Sequence, residues 1–340
     1  MRPTVHDIAA EAGVSLATVD RVLNGRPGVR RQTVEKVESA VHRLGYVRDV
    51  TAANLARRRV YPFVFIIPAG PNSFMRDLEA EVRAAIQRSP VERTAIRIET
   101  VPPFDPGAIV RVLDAIDPET VSGVALVATD TLEVQASVDR LIDRGVHVAT
   151  LVSDLPGSRR AHFCGIDNLA AGRTAAGLIG RFCSGRSGKV LVVAGSMDLS
   201  DHMGRASGFA AVLDAEFPQL EIVGPVETAD DADRVRDAVR SALEAEPDII
   251  AIYNLGAGNR GLIEAVSGRD HRKLAIVAHE VTEYSRQALA DGVFDAVINQ
   301  DCGHEVRSAI RVLKARSDGL MPISAQERIR IDIFLKDNLP

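Results

Sequence analysis

Apolar side chains recur at helical spacing in three short stretches near the start of the chain. They lie at Val5, Ile8, Ala9 and Ala12 in the first stretch, at Val19, Val22 and Leu23 in the second, and at Val34, Val37, Val41 and Leu44 in the third. The first set follows i, i+3, i+4 and i+7, so one face of a helix is apolar. The pattern predicts three short amphipathic helices within the first 45 residues.

The boundaries of the first two predicted helices carry capping and turn residues. Thr4 with Asp7 forms an N-terminal capping signal, Gly13 supplies a turn, and Ser15 can cap the second helix. Two helices joined by a glycine turn are typical of a helix-turn-helix DNA-binding motif, although an ordinary helical hairpin has the same pattern. The outer face of the second helix carries groups suited to a DNA major groove, namely Leu16, Ala17, Asp20, Arg21 and Asn24.

From residue 61 onward, short apolar runs alternate with helical patterns. The predicted strands are Phe63–Ile67, Ala95–Val101, Gly123–Ala128, Val146–Val152, Lys189–Ala194, Glu221–Val226, Ile249–Tyr253, Leu274–Ala278 and Asp295–Asn299. Predicted helices between them include Leu78–Arg88, Leu132–Arg144, Ala170–Phe182 and Ala232–Ala245. This alternation predicts an α/β fold of two doubly wound lobes, in which a ligand lies at the carboxyl ends of parallel strands.

The charge is distributed unevenly along the chain. Residues 1–60 hold 11 Lys and Arg against 6 Asp and Glu, a net charge of +5, while the remainder carries −10, which together give the overall −5. A basic N-terminal segment on an acidic body suits a module that contacts phosphates and is attached to a regulatory domain.

The composition of the chain indicates where the protein acts and which kinds of site it lacks. The chain of 340 residues is 46% hydrophobic, with no apolar run near the ~18 residues of a membrane span and no signal-peptide pattern, so we expect a cytoplasmic protein without membrane contact. Three widely spaced cysteines and scattered histidines predict neither disulfides nor a metal site.

The motif T-V-H-D-I-A-A-E-A-G-V-S-x-x-T-V-x-R-V-L-N-G, followed by T-x-E-K-V-x-x-A-x-x-x-L-G-Y and A-A-N-L-A, resembles the DNA-binding headpiece of the LacI/GalR family across residues 4–59. The resemblance implies a helix-turn-helix headpiece over 1–48 and a hinge helix or linker over 49–60. It implies base-reading roles for Leu16, Ala17 and Arg21 and DNA-backbone contacts for Thr4, Ser15, Thr18 and Asn24. Ala52 and Leu55 would enter the minor groove, with Leu55 as a wedge between base pairs.

Two positions of the headpiece depart from the family pattern. Asp20 stands where the family typically has serine, and it either orients Arg21 or Arg30 or weakens nonspecific binding to DNA. Arg30 replaces a serine that usually caps the third helix, and it offers a phosphate contact instead. These departures leave the operator sequence open.

The body resembles the LacI/GalR effector-binding and dimerisation domain over 61–340, which shares its fold with type I periplasmic sugar-binding proteins. The resemblance is based on I-I-P-x-x-P-N-S-F (66–74), C-G-I-D-N-L-A-A-G-R-T-A-A (164–176) and R-x-S-G-F (205–209). It implies one lobe at about 61–160 and 293–322, and a second at about 161–292 and 323–340. The effector residues that it implies, for a sugar or polyol, are Asn72, Phe74, Asp130, Arg205, Asn254, Glu280 and Gln300.

The resemblance implies a homodimeric transcriptional regulator, most often a repressor, that binds a near-palindromic double-stranded DNA operator. Without a C-terminal leucine heptad, we do not expect a coiled-coil tetramer. Two alternatives remain open. Gly256–Gly261 is a G-x-G-x-x-G segment with Glu280 at the end of the next predicted strand, as in NAD-dependent oxidoreductases. The second alternative is a transport-type sugar-binding protein, although such a protein would be expected to have a signal peptide and no basic headpiece. On the preferred interpretation the chain is not an enzyme and needs no cofactor.

Overall fold

The computed structural model describes residues 3–46, 59–269 and 273–339. The chain divides into two compact units, Met1–Arg59 and Val60–Pro340. The predicted minor-groove residues Ala52 and Leu55 lie outside the described residues. Among the helices of the described part, none is both long enough and apolar enough to cross a bilayer.

The first unit consists of three helices, α1 (Val5–Ala12), α2 (Leu16–Leu23) and α3 (Arg31–Leu44). Thr4 and Asp7 form the predicted capping box at the start of α1, and Gly13 adopts φ 65°, a left-handed conformation that ends the helix at little steric cost. The small core contains Ile8, Ala9, Val19, Val37 and Ala40. Val5 differs from its prediction, since it is 38% exposed at the end of the helix.

The first sheet of the second unit is fully parallel, with strand order β2-β1-β3-β4-β5. Its strands are β1 (Tyr61–Pro68), β2 (Thr94–Val101), β3 (Gly123–Leu126), β4 (His147–Leu151) and β5 (His162–Cys164). The helices that follow these strands in the chain are α4 (Ser73–Glu92), α5 (Pro106–Asp114) and α6 (Leu132–Asp143). Apolar clusters lie on both faces of this sheet, as its almost continuous apolar strands require.

The second sheet has the order β11-β10-β9-β8-β6-β7, and only β11 runs antiparallel to its neighbour. Its strands are β6 (Gly188–Ala194), β7 (Leu220–Glu227), β8 (Ile249–Asn254), β9 (Ala275–His279), β10 (Ala296–Asn299) and β11 (Asp332–Phe334). Helix α7 (Asn168–Phe182) precedes β6, and the helices between the strands are α8 (Ser200–Glu216), α9 (Ala232–Ala245), α10 (Asn259–Val266) and α11 (Glu283–Ala290). Two further apolar clusters cover its faces, so each sheet forms the centre of one lobe.

The chain passes between the lobes three times, but the boundaries differ from those predicted. β5 extends the first lobe to Cys164, and β10, which the sequence assigned to the first lobe, pairs with β9 in the second. The return to the first lobe is therefore α12 (Cys302–Ser317) alone, whose side chains pack in the core of the first sheet. A short 3₁₀ helix, Lys336–Asn338, follows β11 near the end of the chain.

Candidate functional site

The outer face of α2 presents the predicted base-reading side chains to solvent. Leu16 is 42% exposed, and Ala17 and Arg21 are also exposed. The Oγ of Ser15 accepts the backbone N–H of Thr18 at 3.2 Å and lies 2.9 Å from the Thr18 hydroxyl, so both side chains are fixed at the start of the helix. Helix α2 therefore presents to solvent an apolar surface formed by Leu16 and Ala17 and the guanidinium of Arg21.

Asp20 is bound by the turn that follows α2. Its carboxylate accepts Nδ2 of Asn24 at 2.6 Å and Nη1 of Arg26 at 3.1 Å. The partners that the sequence suggested, Arg21 and Arg30, are not those observed. Arg30 is exposed and begins α3 without a side-chain capping bond, which leaves its guanidinium available to another acceptor. The negative charge of Asp20 is thus partly balanced within its own helix and turn.

In the second unit, a cavity of about 380 Å³ lies between the two lobes, at the carboxyl ends of strands from both sheets. Five of the seven predicted effector residues line it, namely Asn72, Phe74, Arg205, Glu280 and Gln300. The first lobe contributes a largely apolar wall, which includes Pro103, Phe104 and Ile109. The second lobe contributes most of the charged groups, so the two walls differ in chemistry.

Arg205 is the central cation of the polar wall. It is 2% exposed, its Nε donates to Oδ1 of Asn168 at 2.9 Å, and its Nη1 donates to the Leu255 carbonyl at 2.8 Å. Its Nη2 lies 3.4 Å from Oε1 of Glu280, which also accepts Nε2 of Gln300 at 2.9 Å. The guanidinium is therefore held rigidly between α7, the loop after β8 and the end of β9.

Burial shifts the protonation of the two buried glutamates in this region. The pKa of Glu280 is raised to about 7, because burial outweighs the opposing effects of Arg205 and of hydrogen bonds from Gln300. Glu305 in the first turn of α12 is fully buried, and burial followed by the charge of Glu280 raises its pKa well above the usual range. Within the described residues neither oxygen of Glu305 has a hydrogen-bond partner, so nothing offsets the preference of burial for the neutral carboxyl.

Two predicted effector residues lie off the cavity wall. The Oδ1 of Asp130 accepts Nε2 of Gln135 at 2.6 Å, and its backbone N–H donates to the Asp198 carbonyl at 3.3 Å. Asn254 is fully buried behind the wall, where its Nδ2 donates to Oδ1 of Asn259 at 2.8 Å. Both residues follow or end a strand as predicted, but their side chains position loops around the cavity.

Three polar residues of the cavity wall carry no distinguishing signal in the sequence. Asp201 and His202 lie in the first turn of α8, where an acidic residue is common in any helix. Asp230 lies in the loop after β7, and its Oδ1 accepts the backbone N–H of Ala257 at 2.8 Å. Asp201, His202 and Asp230 are recognised as site residues only in the folded structure, where they line the cavity.

The lobes also bind each other directly across the cavity. The Nδ2 of Asn72, from the first lobe, donates to Oδ2 of Asp230, from the second, at 3.3 Å. At the neighbouring edge, the hydroxyl of Ser200 accepts the backbone N–H of Asp154 at 2.8 Å and donates to the carbonyl of the same residue at 2.9 Å. The structure is therefore a closed arrangement of the lobes.

Backbone strain is concentrated at the cavity. In the described part of the chain, six residues other than glycine have a positive φ, and five of them line the cavity: Phe104, Val152, Ala229, Asp230 and Glu280. A left-handed conformation costs roughly 1–2 kcal/mol for a residue with a Cβ. Such strain is retained where the surrounding structure needs a side chain in one particular direction, as at a binding site.

The G-x-G-x-x-G segment has roles other than dinucleotide binding. A Cβ on Gly256 would lie 2.7 Å from Oδ1 of Asp230 and 2.8 Å from the backbone nitrogen of Gly195. A Cβ on Gly261 would lie 1.7 Å from the carbonyl oxygen of Ala232, so this glycine allows α9 and α10 to pack closely. Because the carboxylate of Asp230 already accepts an N–H of this loop, a phosphate placed here would be repelled.

Helices α7 and α8 approach each other through glycines on both sides. A Cβ on Gly172 of α7 would lie 1.9 Å from the carbonyl oxygen of Arg205, and a Cβ on Gly208 of α8 would lie 2.1 Å from that of Leu169. The same face of α7 carries Asn168, which holds the guanidinium of Arg205. The close crossing therefore places Arg205 at the cavity.

Comparison with known proteins assigns both units. The family model described as the periplasmic binding protein domain matches residues 63–320, and that of the bacterial regulatory proteins of the lacI family matches residues 4–49. Catabolite control protein A of Priestia megaterium is 42% identical over 78 residues, which are 23% of this chain and 24% of that protein. The HTH-type transcriptional regulator pepR1 of Lactobacillus delbrueckii subsp. lactis is 39% identical over 75 residues, 22% of each chain. The match thus spans about a quarter of the length of these curated relatives.

Solved structures resemble the second unit. The glucose-galactose binding protein GanP of Geobacillus stearothermophilus superposes with a TM-score of 0.73 and 19% identity, over 83% of this chain and 99% of that chain. A solute binding protein of Burkholderia graminis C4D1M in complex with D-arabinose superposes with a TM-score of 0.73 and 23% identity, over 82% of this chain and 96% of that chain. These likenesses show the fold, and they confirm the predicted pair of α/β lobes. The chain therefore belongs to the periplasmic binding protein domain family and carries a lacI family helix-turn-helix domain at its N-terminus.

Proposed function

We propose that the chain is a sequence-specific DNA-binding transcriptional regulator whose affinity for DNA is controlled by a small carbohydrate or polyol. The observation that carries the proposal is the exposed face of α2, with Leu16, Ala17 and Arg21, within a helix-turn-helix that matches the lacI family over residues 4–49. Because its ligand is chromosomal DNA, the protein would act in the cytoplasm.

The chemistry of α2 supports direct reading of base edges. The side chain of Arg21 is exposed, and a guanidinium can bind guanine O6 and N7 together. Leu16 and Ala17 offer apolar contact, which suits the methyl group of thymine. Thr4, Ser15, Thr18 and Arg30 are exposed or half-buried polar groups that can bind phosphates, while Asn24 already donates to Asp20.

The second unit supports ligand control. Its cavity of about 380 Å³ corresponds to about a dozen water-sized groups, which suits a monosaccharide. A ligand held by Arg205 and Glu280 on one lobe and Phe74 on the other would favour the closed arrangement, because it binds that state more tightly. As two-fold symmetry of a homodimer matches a near-palindromic operator, we propose a dimer that acts as a repressor.

The proposal is tested by selecting DNA from a random-sequence pool with the full-length protein. We expect the selected sites to be near-palindromic and to bind with a strong dependence on salt concentration. Arg21→Ala should lower affinity for the selected site about tenfold or more, the cost of one bidentate base contact, and should change nonspecific binding little.

Lys36→Ala provides the matched control, since it removes one positive charge from an exposed position of α3. It should lower specific and nonspecific affinity by similar small factors. If no site is enriched, or if the two variants lose specific affinity equally, the proposed reading role of α2 is wrong. Control by a ligand is then tested by measuring whether a panel of hexoses, amino sugars and polyols releases the selected DNA.

A further inference from the structure

We propose that the ligand of the cavity is a sugar or polyol that carries a protonated amine, and that Asp201 accepts hydrogen bonds from the ammonium group. The proposal deepens the proposed function, because it takes the cavity between the lobes as the effector site. Two features of the wall support it: the hydrogen-bonding groups that the protein leaves unused, and the charge of the wall.

The unused buried groups of the wall are acceptors. Asp201 is 4% exposed and Gln300 is 2% exposed, and both line the cavity. In the described part of the chain, Oδ1 of Asp201 and Oε1 of Gln300 have no hydrogen-bond partner. A buried carboxylate oxygen without a donor is costly, so a ligand that supplies a donor here gains that energy.

The main donors of the wall already make hydrogen bonds within the protein. Three of the five N–H groups of Arg205, one on each guanidinium nitrogen, already donate to protein oxygens, on Asn168, Leu255 and Glu280. The side-chain nitrogen of Gln300 donates to Glu280. A ligand rich in acceptors, such as a phosphate or carboxylate, would therefore compete with existing bonds, whereas a ligand rich in donors would fill open positions.

The charge of the wall also favours a cation. Three aspartates (Asp201, Asp230 and Asp231), together with Glu280, which is only partly ionised because its pKa is about 7, line the cavity against two guanidinium groups, those of Arg205 and Arg234. Arg234 is exposed, and Arg205 lies against Glu280. Asp201 has no guanidinium partner among the described residues; its nearest cationic candidate is Nε2 of His202, at 3.7 Å, beyond hydrogen-bond distance.

The opposite wall limits the rest of the ligand. Phe74, Phe104 and Pro103 present ring faces and edges that suit the C–H groups of a sugar ring or a carbon chain. The structure thus assigns the ammonium group to the second lobe, near α8, and the apolar face of the ligand to the first lobe.

The test compares amino sugars with their neutral counterparts on the full-length protein. Thermal unfolding and isothermal titration at pH 7 would use glucosamine, galactosamine and mannosamine, each beside its parent hexose and its N-acetyl form, and glucamine beside sorbitol. We expect at least one amine to bind tenfold or more tightly than its neutral partners. The proposal is overturned if no amine binds, or if the neutral form binds as tightly in every series.

Asp201→Asn keeps the shape of the side chain and removes its charge, so it should abolish most of the preference for the amine while changing affinity for the parent hexose little. Asp214→Asn, at an exposed position of the same helix, is the matched control and should keep the preference. A preference that survives in Asp201→Asn would also overturn the assignment. DNA binding is measured separately, without sugar. If only the amine proposal is wrong, the protein still binds its selected DNA site; if the proposed function is wrong, no DNA site is selected at all.

Discussion

Replacing Gly172 with alanine tests whether the close crossing of α7 and α8 is required. The new Cβ would lie 1.9 Å from the carbonyl oxygen of Arg205, whereas ordinary contacts begin at 3.4 Å, so the helices must separate by about 1.5 Å. Both clashing groups belong to helix backbones, which cannot rotate away. Overpacking of this kind costs roughly 1–3 kcal/mol, and the higher helix propensity of alanine returns at most about 1 kcal/mol. We expect a net loss of about 1 kcal/mol.

Gly177→Ala is the matched control on the same helix. A Cβ there would meet only the guanidinium of Arg181, at 3.1 Å, which is the end of a flexible side chain. This variant should gain about 0.5–1 kcal/mol from helix propensity. Because both variants gain helix propensity, they should differ by the overpacking cost alone, roughly 2 kcal/mol or about 3–4 °C in the Tm of the second unit. Equal melting temperatures would refute the close-packing argument.

The remaining predictions concern a buried carboxyl and a helix cap. The pKa of Glu280 is about 7 in the folded protein against 4.5 ordinarily, so the stability associated with its neutral form is present below pH 4.5 and is lost as the pH rises through 7. Glutamine cannot titrate, so as the pH rises from 5 to 8 the wild type should lose up to about 3 kcal/mol of unfolding free energy relative to the Glu280→Gln variant. The difference is measured by urea denaturation, and a difference that stays constant across this pH range would contradict the pKa shift. Thr4→Ala removes the capping box of α1 and should cost about 1 kcal/mol, seen as roughly fivefold faster amide exchange in α1. Ser39→Ala, at an exposed position of α3, should leave exchange unchanged, and equal effects of the two would rule out the cap.

The sequence predicted the main strands because each is a buried apolar run bounded by polar turns. It did not predict β5 and β11, which have three residues each and are too short to show a period. The lobe to which β10 belongs was also beyond local pattern, since an apolar run of four residues fits either sheet. Pairing with β9 decides it, and this contact forms only in the folded chain.

The candidate site was predictable where a residue ends a strand or begins the helix after it, as for Asn72, Glu280 and Gln300. Parallel strands bring such residues to one edge of a sheet. The same argument does not fix side-chain direction, which is why Asp130 and Asn254 lie off the cavity wall. Asp201 became visible only through its burial, because nothing in its neighbourhood along the chain distinguishes it from an ordinary acid near a helix start.

The direct bonds between the lobes, from Asn72 to Asp230 and from Ser200 to Asp154, have a kinetic consequence. Because these bonds hold the lobes together, we expect a ligand to enter after they break, so at high ligand concentration the observed association rate should approach the rate at which the lobes part. Once inside, the ligand is released at a rate limited by the same opening. The hydrogen bonds at the rim would thereby set how quickly the protein responds to a change in ligand concentration, while the cavity wall sets the concentration at which it responds.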